Sequence, residues 1–519
     1  MIKTFFFILI ISFEIIITDD APDFTELVFD ENFESDELDQ LKWDIDLGEN
    51  EDYWKKEEFQ YYRRSKENIF IENNQLHIRA LGEKFGNYSY TSARISTKYS
   101  FHFSYGRLET KMKLPKKKGI NSIFNLIGGN IDEVLWPKCG QMNLVEARND
   151  ENTIINSLYW EDSENKMKCE YKEETNLENI NDFHIYSLTW TKEAISMSID
   201  GDERFRIYLN ENLKSDAFQK PFYLLLKLSV MDETTEIDNF DFPLEMVIDY
   251  IKIYQSNEYK CENKHLKSLV FYDDFNGEEL DSKKWTYTLG NENQGWGTYQ
   301  RQYYTNRTTN IYLEDSKLHI KAVKEPYKTY SYTSASISTN MNFTYGRIQA
   351  NISFPMASGF GPELLLLGLY KDKKWPECGE LDALVGVYNT TDSTTIVSGS
   401  TWGKAVSQKY YKKAEYDIQK FNEYNIIWDI NYISVYAEDL ELFRMKINSH
   451  EFEAFHNPHY INLNMIVGGY TVGPINGSAF PLEMITDYIK VYHYDIKRPE
   501  FNGGWYINSL ALLILILIF

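Results

Sequence analysis

Cysteine, positive charge and long apolar runs are all scarce in this chain of 519 residues. Its four cysteines, Cys139, Cys169, Cys261 and Cys378, are too few for a dense disulfide framework and have no zinc-binding spacing. The sequence does not fix their pairing, Cys139 with Cys169 being one option. Lysine and arginine total 54 against 78 aspartates and glutamates, which gives a formal net charge of −24. This balance argues against a nucleic acid or an anionic membrane surface as the main partner and suits a neutral ligand.

Both ends of the sequence carry apolar segments. Residues 1–20 read as a secretory signal peptide. The apolar tail from Leu510 to Phe519 has ten residues, whereas a spanning helix needs roughly 20. Because small residues precede this tail, 496–519 resembles a GPI-anchor signal with attachment at Asn502. A short membrane-embedded tail and a plain apolar terminus are the alternatives. We therefore expect the secretory pathway and the extracellular face of the cell surface.

Secretion predicts N-glycosylation at Asn-x-Ser/Thr triplets, although chance also produces such triplets in an Asn-rich chain. The candidate asparagines are Asn87, Asn306, Asn342, Asn351, Asn389 and Asn476.

The chain contains an internal repeat of a whole domain. LVFDENF at 27–33 matches LVFYDDF at 269–275, a shift of 242 residues. SYTSARIST and SYTSASIST, then DYIKIY and DYIKVY, recur in the same order. The repeat predicts two domains, 24–256 and 267–495, joined by a polar linker at 257–266.

Strand patterns dominate both halves, and convincing long amphipathic helices are absent. LHIRA, LHIKA and VIDYIKIY alternate apolar with polar residues and are rich in β-branched and aromatic side chains. Short strands separated by Gly, Asn and Asp turns over this length predict an all-β fold built from sandwiches.

Ordered motifs in both halves resemble glycoside hydrolase family 16, the laminarinase-like β-glucanases. They include GWGTYQRQYYT at 295–305, the WPKCG and WPECG segments, and FPLEMVIDYIKIYQ at 242–255. The resemblance covers nearly the whole chain. It implies two tandem β-jelly-roll, concanavalin-like sandwiches, each with a sugar-binding cleft on its concave sheet.

In this family the chemistry is carried by a G-E-x-D-x-x-E motif. Alternate residues of a strand face one side, so the last Glu joins the first two carboxylates only if a bulge absorbs one residue. The first Glu is the nucleophile, the last is the acid/base, and the Asp helps to tune them. The nucleophile, helper and acid/base positions hold Gln141, Asn143 and Glu146 in the first half and Glu380, Asp382 and Val385 in the second.

Neither half therefore has a complete set of catalytic groups. An amide at 141 cannot serve as this nucleophile, and Val385 cannot donate a proton. Glu146, Glu380 and Asp382 are interpreted as catalytic remnants. Glu363 and Glu377 are near the second motif, but the sequence does not place either in the acid position.

The sugar-binding candidates come mainly from aromatic residues near the motifs. The family's G-x-W-P-A-x-W segment has lost its tryptophans here, and Phe124 and Leu365 are predicted at the inner Trp position. Trp54 and Trp296 align in a region that lines a sugar subsite in the family, and the second half keeps the family's Asn at 464. The predicted substrate-binding residues are Trp296, Trp375, Asn464, Trp54, Trp136 and Arg94.

The sequence thus favours a secreted or surface-anchored protein that recognises β-1,3 or mixed-linkage glucan through two degenerate glucanase domains. The first alternative is a weakly active retaining endo-β-glucanase or transglycosylase with its activity in the second domain. The second alternative is a structural surface protein. No cofactor and no metal are expected, and the sequence does not give the oligomeric state.

Overall fold

The structure is a computed structural model that describes residues 23–48, 58–148, 152–164, 166–209, 213, 215–231, 242–257, 264–291, 300–369, 373–387, 395–403, 409–415, 417–469 and 472–499. The predicted signal peptide and residues 500–519 of the predicted anchor segment lie outside these residues. So do Cys261, Trp54, Trp296, Asn389 and Asn502, whose predicted roles stay predictions.

The first domain is built from short strands of alternating polarity. Its strands are β1 (Glu26–Glu31), β2 (Asp44–Ile45), β3 (Gln60–Tyr62), β4 (Ile69–Glu72), β5 (Gln75–Ala80), β6 (Tyr90–Ser92), β7 (Arg94–Ser96), β8 (Phe101–His102), β9 (Gly106–Lys113), β10 (Ile120–Gly128), β11 (Gln141–Arg148), β12 (Thr153–Glu161), β13 (Lys168–Asn176), β14 (His184–Trp190), β15 (Ala194–Ile199), β16 (Asp202–Tyr208), β17 (Phe222–Val230) and β18 (Leu244–Gln255). A one-turn helix α1 (Ile131–Val134) and a 3₁₀ turn (Ala217–Gln219) complete its described elements.

The strands of the linker and of the second domain follow, and the second domain repeats most of the first-domain series. They are β19 (Lys264–His265), β20 (Lys267–Asp273), β21 (Trp285–Tyr287), β22 (Gln302–Tyr304), β23 (Ile311–Glu314), β24 (Lys317–Tyr327), β25 (Tyr330–Ser334), β26 (Ser336–Thr339), β27 (Gly346–Ser353), β28 (Phe360–Gly368), β29 (Glu380–Val387), β30 (Thr395–Thr401), β31 (Lys409–Glu415), β32 (Asn422–Trp428), β33 (Tyr432–Ala437), β34 (Leu440–Lys446), β35 (His459–Val467) and β36 (Leu482–Tyr494). A 3₁₀ segment (His450–His456) precedes β35.

Each domain is a sandwich of two sheets, as the sequence predicts. In the first domain, β16-β15-β14-β9-β18-β5-β4, with β1 beside β18, forms the back sheet. The opposing motif sheet has the order β13-β12-β11-β10-β17-β7-β2. In the second domain, β22-β25-β24-β36-β27-β32-β33-β34, with β20 and β23 attached, forms the back sheet, and β21-β26-β35-β28-β29-β30-β31 forms the motif sheet. The fold is two tandem β-jelly-roll sandwiches.

The apolar core of each domain lies between its two sheets. The first core includes Trp43 and Trp190, and the second includes Trp285 and Trp428 at the matching positions. All four indole rings are almost fully buried. Burial of such large aromatic side chains is a main stabilising contribution to a sandwich core.

The repeat extends to individual polar contacts inside these cores. Trp43 donates its indole N–H to Glu31 at 3.2 Å, and Trp285 donates to Asp273 at 2.7 Å. A buried indole N–H needs an acceptor, and both copies use a carboxylate 12 residues earlier in the chain.

The end of the segment that joins the domains contacts the first domain. Strand β19, inside the predicted linker, pairs with β8. Directly after it, the buried Lys267 ammonium contacts Asp44 of the first domain at 2.5 Å. A buried lysine requires such a partner because an unpaired charge in the interior is costly.

Cys139, Cys169 and Cys378 are free thiols, so the Cys139–Cys169 disulfide that the sequence left open is not formed. In the described part of the chain, no helix is both long and apolar enough to cross a membrane.

Four of the predicted glycosylation sites, Asn87, Asn306, Asn342 and Asn476, are exposed. Asn351 is half-buried, and its side-chain amide donates to Asp487 at 3.1 Å.

Candidate functional site

The second-domain motif lies on β29, in the middle of the motif sheet. Leu364 of β28 pairs with Leu384, whereas Leu365 pairs with Asp382, so Ala383 is the extra residue of a β-bulge. The bulge required to bring three motif positions to one face is therefore present. Leu381, Ala383 and Leu384 are buried in the core, and Glu380, Asp382 and Val385 are half-exposed on the other face.

Glu380 is held by the tryptophan that precedes the motif. The Trp375 indole N–H donates to Glu380 Oε2 at 2.5 Å, and the Trp375 residue is 44% exposed. The structure thus brings together two residues that the sequence singled out separately. An indole N–H donor at this distance fixes the orientation of the Glu380 carboxylate.

In the first domain the same positions form a chain of side-chain hydrogen bonds. Trp136 Nε1 donates to Gln141 Oε1 at 2.8 Å, and Gln141 Nε2 donates to Asn143 Oδ1 at 2.5 Å. Asn143 Nδ2 then donates to Glu146 Oε2 at 2.8 Å. An amide both donates and accepts, so the two amides connect Trp136 to Glu146 without adding a second charge.

The hydrogen-bonded motif side chains of the first domain are also shielded from solvent. Gln141, Asn143 and Glu146 are only 3–4% exposed. The neighbouring strands β10 and β17 are buried at every position, on both faces of the sheet. The ammonium of Lys168 lies 4.8 Å from the centre of the Trp136 ring. The first-domain motif is therefore an internal polar cluster, while the second-domain motif faces outwards.

Buried or half-buried charged residues lie on the first-domain motif sheet beside this hydrogen-bonded cluster. Lys227 pairs with Arg94 across β17 and β7, and its ammonium forms an ion pair with Glu58. Burial lowers the pKa of Lys227, and the Glu58 carboxylate offsets part of that effect. Burial alone would raise the pKa of Glu58, but the nearby Lys227 brings it below its ordinary value.

The predicted sugar-binding residue Arg94 is committed to contacts inside the protein. Its Nε donates to Asp46 at 2.8 Å, and its guanidinium lies 5.0 Å from the centre of the Tyr62 ring. Lys227, which the sequence analysis did not single out, occupies the position of Asn464. The substitution is visible in the sequence as LKLSV against LNMIV.

Asn464 in the second domain contacts an acidic residue that the sequence did not place. Its Nδ2 donates to Glu363 Oε2 at 2.9 Å, and its Oδ1 accepts from the Tyr304 hydroxyl at 3.1 Å. Glu363 pairs with Asn464 on one side and with Val385 on the other. The signal for Glu363 was its place in GFGPE, where the family segment has alanine.

The environment of Glu363 favours its protonated form. Burial raises the pKa of Glu363 to about 8, the Asn464 hydrogen bond opposes that rise, and the Glu380 charge adds to it. Its side chain is still half-exposed on the motif face. Glu377, the other carboxylate near the motif, lies in an exposed ion pair with Lys373 at 2.7 Å.

One prediction about this sheet is wrong. Phe124 and Leu365 do not share the inner Trp position, because Phe124 pairs with Val145 and is fully buried in the core. Asn125, which pairs with Asn143, is the residue in register with Leu365. Facing residues alternate along a strand, so a shift of one residue moved the prediction to the core side. Elsewhere, the described residues contain no cluster of three or more potential metal ligands.

Comparison with known proteins identifies the class of this fold and motif. The family model for glycosyl hydrolases family 16 matches twice, over residues 52–252 and 292–487. The chain belongs to glycosyl hydrolases family 16 and contains two copies of its domain.

Similar proteins include both curated sequences and solved structures. Over 270 residues, 49% of this chain, it is 28% identical to the clotting factor G alpha subunit of Tachypleus tridentatus, of which it spans 39%. It is 30% identical over 122 residues to a beta-1,3-glucan-binding protein of Penaeus monodon, covering 21% of this chain and 33% of that one. A LamA variant from Z. galactanivorans in complex with laminaritriose and laminaritetraose is 29% identical, with a TM-score of 0.41, covering 45% of this chain and all of that one.

Proposed function

We propose that this protein recognises β-glucan, β-1,3-linked or of mixed linkage, and that the second domain provides the main sugar-binding cleft. The observation that carries the proposal is the contrast between the two motif sheets. Glu380 and Asp382 are half-exposed beside an exposed Trp375, whereas Gln141 and Asn143 are buried. A sugar cleft needs accessible polar groups beside an aromatic surface, and the second domain offers both.

Family membership supports a carbohydrate ligand. The beta-1,3-glucan-binding protein of Penaeus monodon is a relative whose name describes binding alone. A net charge of −24 disfavours polyanionic ligands, and β-glucan is neutral.

The first domain is proposed to be catalytically inactive. Gln141 occupies the nucleophile position, and an amide does not form the glycosyl ester that a retaining mechanism requires. Its Oε1 and Nε2 are both engaged, by Trp136 and Asn143. We propose that this domain stabilises the chain or adds secondary sugar contacts at its surface.

The proposed location is the extracellular face of the cell surface, reached through the predicted signal peptide and held by a C-terminal lipid anchor or tail. Retention at a surface raises the effective concentration of binding sites towards a polymer, so that weak individual sites retain it.

Calorimetric titration of the full-length protein with a β-1,3-gluco-oligosaccharide tests the proposal, with a β-1,4-gluco-oligosaccharide as the ligand control. Trp375→Ala removes an exposed ring and the hydrogen bond to Glu380, so it should weaken binding roughly tenfold or more. The matched Trp136→Ala removes the corresponding ring of the first domain and should change affinity less than about twofold. No binding by the natural protein would favour the structural surface protein instead, and equal losses in both variants would refute the assignment to the second domain.

A second candidate function is weak retaining endo-β-glucanase or transglycosylase activity in the second domain. It is favoured by one observation: Glu363 lies opposite Val385, which occupies the acid/base position of the family motif.

A further inference from the structure

In each domain, one cross-strand pair of the motif sheet consists of a carboxylate and an aliphatic residue. The carboxylate lies on opposite strands of that pair in the two domains. In the first domain, Ile123 of β10 lies opposite Glu146 of β11. In the second domain, Glu363 of β28 lies opposite Val385 of β29. Side chains directly opposite in an antiparallel pair share one face, with their Cβ atoms about 5 Å apart. Each motif sheet therefore has one carboxylate in this cross-strand pair, on β11 in one domain and on β28 in the other.

We propose that Glu363 is the general acid/base of the second domain and acts with Glu380 as nucleophile in slow cleavage of β-glucan. The proposal rests on the proposed function, because it assigns chemistry to the same cleft. In this proposal, Glu363 on the adjacent strand supplies the carboxyl group that Val385 lacks.

The hydrogen bonding of Glu363 suits this role. Asn464 holds Oε2 at 2.9 Å, and within the described part of the chain Oε1 has no hydrogen-bond partner. A fixed carboxyl group with one free oxygen can present a proton to a glycosidic oxygen in the cleft. Its raised pKa, about 8, leaves this oxygen protonated at neutral pH. The titratable neighbours on β29 are Glu380 and Asp382, while β35 contributes the neutral Asn464.

The reaction balances with these two carboxyl groups and water. Glu380 attacks the anomeric carbon, the bond from that carbon to the glycosidic oxygen breaks, and Glu363 gives its proton to the departing oxygen. Water then attacks the anomeric carbon of the glycosyl ester. Glu363 takes a proton from that water, the ester bond breaks, and Glu380 is released as a carboxylate. A sugar hydroxyl in place of water gives transglycosylation.

The displaced position predicts a low rate. Neighbouring strands are about 4.8 Å apart, so the acid approaches the scissile bond from one strand away from its usual place. A misplacement of this size is expected to lose orders of magnitude from proton transfer while leaving it measurable.

The test measures the activity of the full-length protein on two substrates. One is a β-1,3-gluco-oligosaccharide, and the other is the 2,4-dinitrophenyl β-glycoside of a β-1,3-gluco-oligosaccharide. The dinitrophenolate departs without a proton, so its release does not need the acid. Glu363→Gln should lower oligosaccharide cleavage about tenfold or more, which is less than the roughly 10²–10⁴-fold expected for a well-placed acid, and should still release a burst of dinitrophenol. Azide, which attacks without a general base, should then restore steady turnover and yield a glycosyl azide. Glu380→Gln should abolish cleavage of both substrates, and the control Glu377→Gln should leave both unchanged.

Three results would overturn the inference: no turnover of either substrate by the natural protein, oligosaccharide cleavage unaffected by Glu363→Gln, or equal loss of both substrates without rescue by azide. Calorimetric binding of the same oligosaccharide separates the two proposals. Binding without Glu363-dependent cleavage removes this inference alone, whereas absence of binding removes the proposed function.

Discussion

Replacing Glu363 with glutamine should make the second domain more stable at alkaline pH and leave its stability at pH 5 nearly unchanged. Glutamine has almost the same shape and still accepts the hydrogen bond from Asn464, so the change removes only the titrating group. The folded pKa of Glu363 is about 8, against 4.5 for an ordinary glutamate. Between these values the unfolded chain ionises before the folded one, so the stability of the natural protein falls as pH rises and levels off above about pH 8.

The magnitude follows from the difference of 3.5 pH units, 8 minus 4.5. At about 1.4 kcal/mol per unit the upper limit is about 5 kcal/mol. Glu363 is half-exposed, and solvent screening reduces this to an expected difference of about 2 kcal/mol. For a domain of this size that corresponds to roughly 4–8 °C in the melting temperature.

Calorimetric melting of both proteins at pH 5 and pH 9 measures this difference. Glu377→Gln is the matched control, since Glu377 lies in an exposed ion pair of the same domain and should show no comparable pH-dependent gain. A melting difference between natural protein and Glu363→Gln that is the same at both pH values would refute the reasoning, because the glutamate would then titrate alike in both states.

Three further predictions concern other contacts. Asp44→Ala should destabilise the protein by about 3–5 kcal/mol in chemical denaturation, because it leaves the buried Lys267 ammonium without its partner; a loss below 1 kcal/mol would show that the charge is solvated. Trp375→Phe keeps an aromatic ring but removes the N–H donated to Glu380, so oligosaccharide affinity by calorimetry should fall about tenfold; unchanged affinity would contradict that role. Gln141→Glu should lower the first-domain melting temperature at pH 7 without adding glucanase activity, because the site is buried; a gain in product release would contradict this.

The repeat, the strands and the bulged motif could be predicted because each leaves a local pattern in the sequence. The alternation of residues around Glu380 and Asp382 fixes which side chains share a face, and Ala383 is the bulge that this pattern requires. The valine at 385, at the position where the family motif has its last Glu, was equally visible in the sequence.

The replacement residue was not predictable in the same way. Glu363 lies 22 positions before Val385 in the chain and meets it only through the pairing of β28 with β29. That pairing depends on where the bulge falls, and a shift of one residue exchanges the two faces of the sheet. The same sensitivity explains why Phe124 was placed on the cleft side.

The burial of the first-domain motif was also not predictable, because it depends on contacts between several strands. Lys227 and Glu58 are far apart in sequence, and their ion pair forms only when β17 and the segment before β3 meet. Single-residue comparison with the family detected Gln141 and Asn143, but it could not show that they form a buried hydrogen-bonded chain.

The most direct test of the account is photoaffinity labelling of the full-length protein with a β-1,3-gluco-oligosaccharide probe, followed by peptide mapping. Labelled peptides should come from β28 and β29, and excess unlabelled oligosaccharide should suppress their labelling. Labelling confined to β10 and β11, or labelling that free oligosaccharide does not suppress, would contradict the claim that the second domain binds the sugar.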